Sequence, residues 1–283
     1  MSVVKQQKWK KVEYSRSKII KSGKTIKNPN ATPEQIEEAT RVIDNWRAAH
    51  AFPLHVVYIH LRGMAKGKNI IVAERLKRLD SIIKKLEREP TMSLWMMQDL
   101  GGCRFIVPTI EEVYRYAEKY DTSRKRHIFK ERYDYIANPK PSGYRSLHMV
   151  YEYHSDKVDT YNKNMLIEIQ YRTHLQHIWA TALETLNAIR IALNHDGSIP
   201  KDKKGYYLLV LNYNTHRLGI RTYLPSEFDE VNTMYTQIEK TRATSGIDAV
   251  LVRASSFKDL KSAYPNYFAD IGEFYGLITG YLK

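Results

Sequence analysis

The sequence predicts an α+β protein, in which a mixed β-sheet is flanked by helices and followed by a small C-terminal α+β domain. Three observations lead to this prediction. Segments with helical spacing of apolar residues are interspersed with short strand-like runs up to about residue 190. Two strand-like runs, 207–213 and 218–223, enclose a short polar connection and predict a hairpin. The net charge lies entirely in residues 1–205, which separates the two parts by composition.

The charge distribution suggests how the chain is divided. The formal net charge is +14, from 45 basic and 31 acidic residues among 283. Residues 206–283 contain equal numbers of both, so the excess belongs to the rest of the chain. We expect a basic N-terminal arm at 1–30, a larger domain at 31–190, a polar linker at 191–205 and a small domain at 206–283. The excess positive charge indicates a polyanionic partner, such as a nucleotide, a nucleic acid or an anionic membrane.

Composition excludes several classes of protein. Apolar residues make up 43% and charged residues 27%, which is typical of globular proteins and not of disordered ones. No apolar run approaches the roughly 20 residues of a membrane-spanning helix, and no apolar stretch follows the basic N-terminus as in a signal peptide. The single cysteine, Cys103, excludes an internal disulfide and fits a cytoplasmic location.

The secondary structure follows from periodicity and from helix-start signals. Thr32 as N-cap, Pro33 at the first position and Gln35 in a capping box predict a helix over 33–49. The remaining helices are predicted at 54–62, 73–88, 111–119, 175–189, 226–241 and 257–263. The remaining strands are predicted at 103–107, 148–154, 165–172 and 249–253, with 148–154 and 165–172 paired as a hairpin.

Two carboxylates are candidates for a metal site. Alternation along strand 165–172 places Glu168, Gln170 and Arg172 on one face, which is either a site or a solvated sheet face. Asp99 precedes strand 103–107, and adjacent strands would bring the two carboxylates together. Two such ligands plus substrate phosphates suit Mg²⁺. The alternative for Asp99 is an ordinary turn residue.

Two further segments carry groups that can bind a nucleotide. The predicted helix 73–88 has basic residues on its polar side, which could hold a triphosphate or form an ordinary solvated surface. These side chains are Arg75, Arg78, Lys85 and Arg88, with Lys77, Ser81 and Lys84 nearby. The loop 134–148 offers phosphate and hydroxyl partners and a tyrosine able to stack on a base, or is a structural loop rich in tyrosine. Its candidate groups are Lys140, Tyr144, Arg145, Ser146 and His148.

Four blocks in the same order resemble the synthetase domain of the RelA/SpoT family. They are residues 75–86, 98–104, 134–148 and 167–173. The resemblance implies a nucleotidyltransferase-like fold and an enzyme that transfers the β,γ-diphosphate of ATP to a ribose 3′-hydroxyl with Mg²⁺ as cofactor. Such chemistry depends on positioning and on charge neutralisation rather than on a covalent nucleophile.

The resemblance also implies a role for each matching residue. Asp99 and Glu168 match the Mg²⁺ ligands, and Glu168 also assists the attacking hydroxyl. The matches on the ATP side are Arg75, Lys77, Ser81, Lys85 and Arg88. The matches on the acceptor side are Lys140, Tyr144, His148, Gln170 and Arg172.

The flanks resemble a narrower group, the small single-chain members that include the fused toxin–antitoxin CapRel proteins of phage defence. Residues 12–25, 45–50 and 262–268 carry this likeness. It implies pyrophosphorylation of the tRNA 3′ end, and a C-terminal tyrosine pair that blocks the ATP site until a phage protein is sensed. Tyr264 and Tyr267 have the required spacing. The alternative is that both rings pack the small domain.

Three functions remain open from the sequence. The first is a pyrophosphokinase with tRNA as acceptor, and the second is the same chemistry on GTP or GDP. The third is an inactive regulator that binds RNA or a nucleotide. The +14 charge favours the longer polyanion, tRNA, over a free nucleotide. A membrane partner is not expected.

Overall fold

The computed structural model describes residues 9–186, 194–195, 205–212, 217–245 and 247–264. The helices of this part are α1 (Arg16–Thr25), α2 (Pro33–Ala49), α3 (Ala51–Ala65), α4 (Leu79–Arg88), α5 (Ile110–Asp121), α6 (His174–Leu186), α7 (Phe228–Ser245) and α8 (Phe257–Ala263). The strands are β1 (Ile71–Leu76), β2 (Gly101–Val107), β3 (Ile128–Asp134), β4 (Leu147–Glu152), β5 (Leu166–Thr173), β6 (Asn194–His195), β7 (Gly205–Asn212), β8 (Arg217–Tyr223) and β9 (Ile247–Ala254).

Within the described ranges, the strands form one nine-stranded mixed sheet in the order β3-β4-β5-β2-β1-β9-β7-β8-β6. β2 runs parallel to β5, whereas β1 and β4 are antiparallel to their neighbours. The predicted α+β class is therefore confirmed. The predicted hairpins β4–β5 and β7–β8 are confirmed as antiparallel pairs. The predicted capping box of α2 and the predicted bounds of α8 are also confirmed.

The predicted helix over 73–88 is wrong. Its first part is strand β1, and the helix proper begins only at Leu79. β1 is held by backbone pairing on both sides, with β2 and with β9. These tertiary hydrogen bonds override the helical spacing of Leu76, Leu79, Ile83 and Leu86, which had suggested one continuous helix. Arg75 therefore lies on a strand and not on a basic helical ridge.

Residues of the predicted basic arm and of the predicted C-terminal domain both contact the central part. Helix α1 buries Ile19 in a cluster with Val42 and Ile43 of α2, so residues 16–25 are packed and not extended. Strand β9 pairs with β1 as well as with β7, so one sheet crosses the proposed boundary between 31–190 and 206–283. The division into domains stays a prediction. Tyr267 and most of the predicted linker lie outside the described residues.

The core lies on both sides of the central strands. Aromatic and aliphatic side chains of β2, β4 and β5 pack against helices α3 and α5, as at Phe105, Tyr116 and Tyr171. The opposite face of β2 and β5 carries Arg104, Glu168, Gln170 and Arg172, which the core does not use. In the part of the chain described above, no helix is long and apolar enough to cross a membrane.

His50 gives the fold a pH dependence that can be measured. It is buried at the junction of α2 and α3, with Nδ1 2.7 Å from the Trp46 carbonyl oxygen. Burial lowers the pKa of His50 from 6.5 to about 4. The hydrogen bond to Trp46 raises the pKa, but its effect is smaller than that of burial. The unfolded chain thus binds a proton that the native chain does not, so stability is complete above pH 6.5 and falls as the pH drops toward 4.

We predict that His50 accounts for a loss of about 2 kcal/mol in the free energy of unfolding between pH 7 and pH 5. Urea unfolding of the wild type and of His50→Gln at both pH values measures this. The variant should show a pH dependence smaller by that amount. An equal pH dependence in both proteins would contradict a buried neutral His50.

Candidate active site

Neighbouring strands place the polar face of the sheet in register. Arg75 of β1 lies opposite Gly102 of β2, which in turn lies opposite Glu168 of β5. Gly102 has no side chain, so it leaves room between Arg75 and Glu168. The next row across the sheet aligns Arg104 of β2 with Gln170 of β5. Strand alternation thus gathers Arg75, Arg104, Glu168 and Gln170 on one face of the sheet.

Glu168 is the centre of a hydrogen-bonded chain. Its Oε1 lies 2.9 Å from His148 Nδ1, and its Oε2 accepts from Gln170 Nε2 at 2.6 Å. His148 Nε2 lies 2.9 Å from the Tyr144 hydroxyl, which also accepts from Arg172 at 3.4 Å. The predicted face of β5 is therefore built as one network, and its buried carboxylate excludes a solvated sheet face.

The environment of Glu168 keeps it ionised. Burial by itself raises the pKa of the carboxyl, but His148, Gln170 and Lys85 outweigh burial and lower it to about 2. The carboxylate therefore accepts hydrogen bonds at neutral pH. Since Glu168 is negative, His148 Nδ1 donates to it, and His148 Nε2 is hydrogen-bonded to the Tyr144 hydroxyl.

Asp99 is held between two lysines. Lys77 Nζ lies 2.8 Å from Asp99 Oδ2, and Lys85 Nζ lies 3.1 Å from Oδ1. Lys77 follows β1, whereas Lys85 lies one and a half turns into α4. The two lysines predicted on the ATP side thus meet the predicted metal ligand. Ser81 lies one turn before Lys85 on α4 and is half-buried.

Asp99 and Glu168 line one pocket, together with Arg75, Lys77 and Gln170. Helix α8 closes this pocket: the Tyr264 ring, which follows α8, is 1% exposed and lines it. The open volume left in the pocket is about 50 Å³. Sites for ligands of nucleotide size hold about 300–1,000 Å³. A nucleotide therefore does not fit while Tyr264 is in place.

Tyr264 is held by two arginines. Arg75 and Arg104 lie over its ring, with guanidinium carbons 5.7 and 4.4 Å from the ring centroid. Arg104 Nη1 also donates to the Ala263 carbonyl at 2.6 Å, and His177 Nε2 lies 2.6 Å from the Ser262 carbonyl oxygen. The ring thus occupies the place between arginines where a flat base could bind.

The loop 134–148 places aromatic side chains beside His148. Tyr135 meets the His148 ring edge-on, with centroids 5.2 Å apart. Lys140 Nζ lies 4.4 Å from the Tyr135 ring centroid and 5.4 Å from that of Tyr144. Gly143 has a positive φ of 77°, a conformation that favours glycine, and the loop turns there toward Tyr144. The structure therefore brings Lys140 and Tyr144 to the network of Glu168.

The structure does not bring every predicted residue to the site. Arg88 is exposed at the end of α4, with its guanidinium 3.2 Å from Glu89, and it does not line the pocket. Ser146 is buried and donates to the Tyr171 carbonyl, so it supports the loop. Arg145 is exposed. Tyr267 lies outside the described residues.

Sequence reasoning missed Arg104 and Tyr135. Arg104 is two residues beyond Gly102 on β2, so its side chain lies on the same face as the pocket. The predicted pairing of this strand with the Glu168 strand, combined with alternation, was the signal that could have found it. Tyr135 lay in the predicted loop, but only the tertiary structure shows its contact with His148.

The two carboxylates fit a Mg²⁺ ion that is shared with a substrate. Over the described ranges, no three His, Cys, Asp or Glu side chains gather into a metal site of their own. Mg²⁺ is ordinarily held by one or two carboxylates together with substrate phosphates and water. Asp99 and Glu168 in one pocket provide that partial set of ligands.

Comparisons with known proteins show which family the residues around this pocket resemble. Residues 74–194 match the model of the region found in RelA/SpoT proteins. The family predicted from the sequence is therefore confirmed over this matched region. The narrower likeness to CapRel proteins stays a prediction.

Individual relatives agree with this family. The chain is 34% identical over 135 residues to the GTP pyrophosphokinase YjbM of Bacillus subtilis, a match that covers 47% of this chain and 61% of YjbM. It is 34% identical over 134 residues to YwaC of the same organism, covering 45% and 60%. The matches thus span about three-fifths of these two relatives.

Among solved structures, the chain is similar to the small alarmone synthetase 1 of Bacillus subtilis bound to its product pppGpp. The identity is 28%, the TM-score is 0.46, and the match covers 56% of this chain and 83% of that one. A GTP pyrophosphokinase family protein from Streptococcus pneumoniae is 24% identical with a TM-score of 0.45, covering 75% and 92%.

Proposed function

We propose that the protein transfers the β,γ-diphosphate of ATP to the 3′-hydroxyl of a second nucleotide and releases AMP. The observation that carries this proposal is the convergence of Asp99 and Glu168 in one pocket with the lysine that precedes α4 and with the acceptor-side network. The RelA/SpoT domain and the names of its relatives support the same reaction.

The residues divide between donor and acceptor. Lys77 and Lys85, which neutralise Asp99 in the present state, would face the donor phosphates, and Arg75 would flank its base. Tyr144 would stack on the acceptor base. Asp99 and Glu168 would hold Mg²⁺, which supplies neutralisation of the phosphate charge.

Glu168 would orient the attacking hydroxyl. Its carboxylate accepts a hydrogen bond from that group, while His148 and Gln170 fix its two oxygens. Held in this way, the carboxylate contributes alignment of the hydroxyl oxygen with the β-phosphorus. The 3′-oxygen forms a bond to the β-phosphorus, the bond between that phosphorus and the AMP oxygen breaks, and the hydroxyl proton leaves through the carboxylate.

A guanine nucleotide is the acceptor that the relatives favour. YjbM and YwaC are named GTP pyrophosphokinases, and one similar structure holds pppGpp. The structure also weakens the charge argument for RNA. The basic residues 124–126 precede the loop 134–148 and add to the positive charge of this part of the chain. Lys125 pairs with Asp121 and Arg126 with Asp156, so this basic run is partly neutralised.

The tRNA 3′ end is the second candidate acceptor. It is favoured by the net charge of +14 and by the likeness to CapRel proteins. In that version the chain is a fused toxin–antitoxin, and a phage protein is the trigger that withdraws the C-terminal segment. An inactive regulator, the third hypothesis, is disfavoured because both carboxylates and the acceptor network are in place.

The C-terminal segment is proposed to be inhibitory through Tyr264. The ring fills the space between Arg75 and Arg104 and leaves about 50 Å³ in the pocket. ATP and the Tyr264 ring would therefore compete for one place. This supports a regulatory role for Tyr264, whereas the second predicted tyrosine lies outside the described residues.

We predict that diphosphate transfer depends on Glu168. With γ-labelled ATP, Mg²⁺ and GDP, GTP or bulk tRNA, the Glu168→Gln variant should lose at least a hundredfold in rate, because the hydroxyl is no longer aligned. The exposed Glu118→Gln is the matched control and should retain full activity. Label on GDP or GTP supports a guanine nucleotide as the acceptor, and label on tRNA supports the tRNA 3′ end.

The assay uses the full chain and the Tyr264→Ala chain, because removing the C-terminal segment would also remove β9 from the side of β1. Transfer at equal rates by the wild type and Glu168→Gln would contradict the proposed mechanism. An absence of transfer to every acceptor in both chains would contradict the enzyme function itself.

We predict that Tyr264→Ala strengthens binding of a non-hydrolysable ATP analogue about tenfold, since two cation–π contacts no longer compete with the base. Tyr264→Phe keeps the ring and should bind like the wild type. Calorimetric titration measures both affinities. Equal affinity for the analogue in the wild type and in a folded Tyr264→Ala protein would overturn the inhibitory role.

We predict that Arg104, and not Arg88, contributes to donor binding. In the Tyr264→Ala chain, Arg104→Ala should raise KM for ATP about tenfold, because the buried guanidinium lines the pocket. Arg88→Ala should leave KM unchanged, because Arg88 is exposed. Steady-state kinetics measure KM for ATP in both variants. A larger increase of KM in Arg88→Ala than in Arg104→Ala would contradict this prediction and support Arg88 on the ATP side, as the family resemblance implies.

A further inference from the structure

A buried cluster of charges joins three distant parts of the chain. Arg47 of α2 is fully buried, and its Nη1 lies 3.0 Å from Glu239 Oε2 of α7. Its Nη2 lies 2.5 Å from Asp44 Oδ1 and 3.2 Å from the Thr236 hydroxyl. Its guanidinium also lies 4.6 Å from the centroid of the Tyr235 ring. These contacts fix α7 on α2.

The same Glu239 carboxylate reaches the N-terminus of α4. Oε2 accepts from the backbone N–H of Leu79 at 2.9 Å. Arg78 is the N-cap residue of that helix, and its side chain makes no capping hydrogen bond. The first amides of a helix need an acceptor from outside it, and a carboxylate there also interacts favourably with the helix dipole. Glu239 thus caps α4 from a different part of the chain.

This contact has a consequence for the pocket. Lys85 lies six residues after Leu79, about 9 Å along the helix axis. Its ammonium is 3.1 Å from Asp99 Oδ1 and lowers the pKa of Glu168. A helix of ten residues moves as a rigid piece, so a shift at Leu79 displaces Lys85 relative to both carboxylates.

Packing alone explains the cluster poorly. A buried ion pair is on average no more stabilising than apolar residues of the same volume. An apolar side chain at position 239 would, however, leave the buried Leu79 N–H without this acceptor, and such an unsatisfied donor is costly. The backbone of α4 therefore requires the Glu239 carboxylate as an acceptor. The buried carboxylate in turn requires Arg47 as its charge partner.

We propose that Glu239 is a positioning residue that fixes the start of α4 and, through that helix, the Lys85 ammonium in the donor pocket. The inference rests on the proposed function in one respect, that Lys85 faces the donor phosphates. It makes α7 a support of the donor site, whereas Tyr264, later in the same segment, fills that site.

Two double variants test this proposal, each made in the Tyr264→Ala chain. Arg47→Met/Glu239→Gln removes both charges but keeps an oxygen that can accept from Leu79. Arg47→Met/Glu239→Met removes the charges and the acceptor at nearly equal side-chain length. The pair therefore differs only in the cap. Glu230→Gln, exposed on α7, is the control for an unrelated charge change on that helix.

The first readout is hydrogen exchange at the amides of residues 79–82, which does not depend on catalysis. The Gln variant should match the parent chain, and the Met variant should exchange about tenfold faster there. The second readout is KM. The Met variant should raise KM for ATP about tenfold and leave KM for the acceptor unchanged, whereas a general loss of stability would lower the apparent kcat and leave both KM values unchanged.

Equal exchange and equal KM for ATP in the two double variants would overturn the proposal. If the Met variant does not fold, Arg47→Met/Glu239→Ala takes its place and is judged by the same readouts. If no chain, the parent included, transfers diphosphate, the proposed function fails. The exchange readout then decides the role of Glu239 by itself.

Discussion

The pairing of strand β1 is the interaction on which the rest of the site depends. β1 is bonded to β2, which lies in the region that matches RelA/SpoT proteins, and to β9, which lies in the C-terminal segment. Arg75 lies on this strand and Lys77 directly follows it. The strand also ends where α4 begins, so its position sets both lysines that contact Asp99. The pocket between β1 and β5, which is the proposed donor site, exists because this strand is fixed from both sides.

The C-terminal segment has two opposite relations to that pocket. Through β9 and Glu239 it supports β1 and α4. Through Tyr264 it fills the space between Arg75 and Arg104. These contacts are made by separate elements of the segment. In the regulation proposed above, displacement of α8 and of the ring that follows it would open the pocket.

The sequence predicted the parts of the site that follow from local periodicity. Alternation along β5 correctly placed Glu168 with Gln170 and Arg172, and the order of motifs correctly indicated the family. Periodicity failed at residues 73–78, because the pairing that makes them a strand is tertiary. Arg104 was missed because its role depends on which strand lies beside it. Contacts such as that between Arg47 and Glu239 join residues 192 positions apart, and no spacing in a single sequence reveals them.

The central claim is that donor and Tyr264 exclude each other while the remainder of the C-terminal segment stays bound. Hydrogen exchange with and without a non-hydrolysable ATP analogue and Mg²⁺ tests it most directly. The account predicts that amides of residues 260–264, including the Tyr264 N–H that donates to the Leu260 carbonyl, lose protection when the analogue binds. The amides of β9 and α7 should keep theirs. Saturation with the analogue while residues 260–264 stay protected would contradict the account.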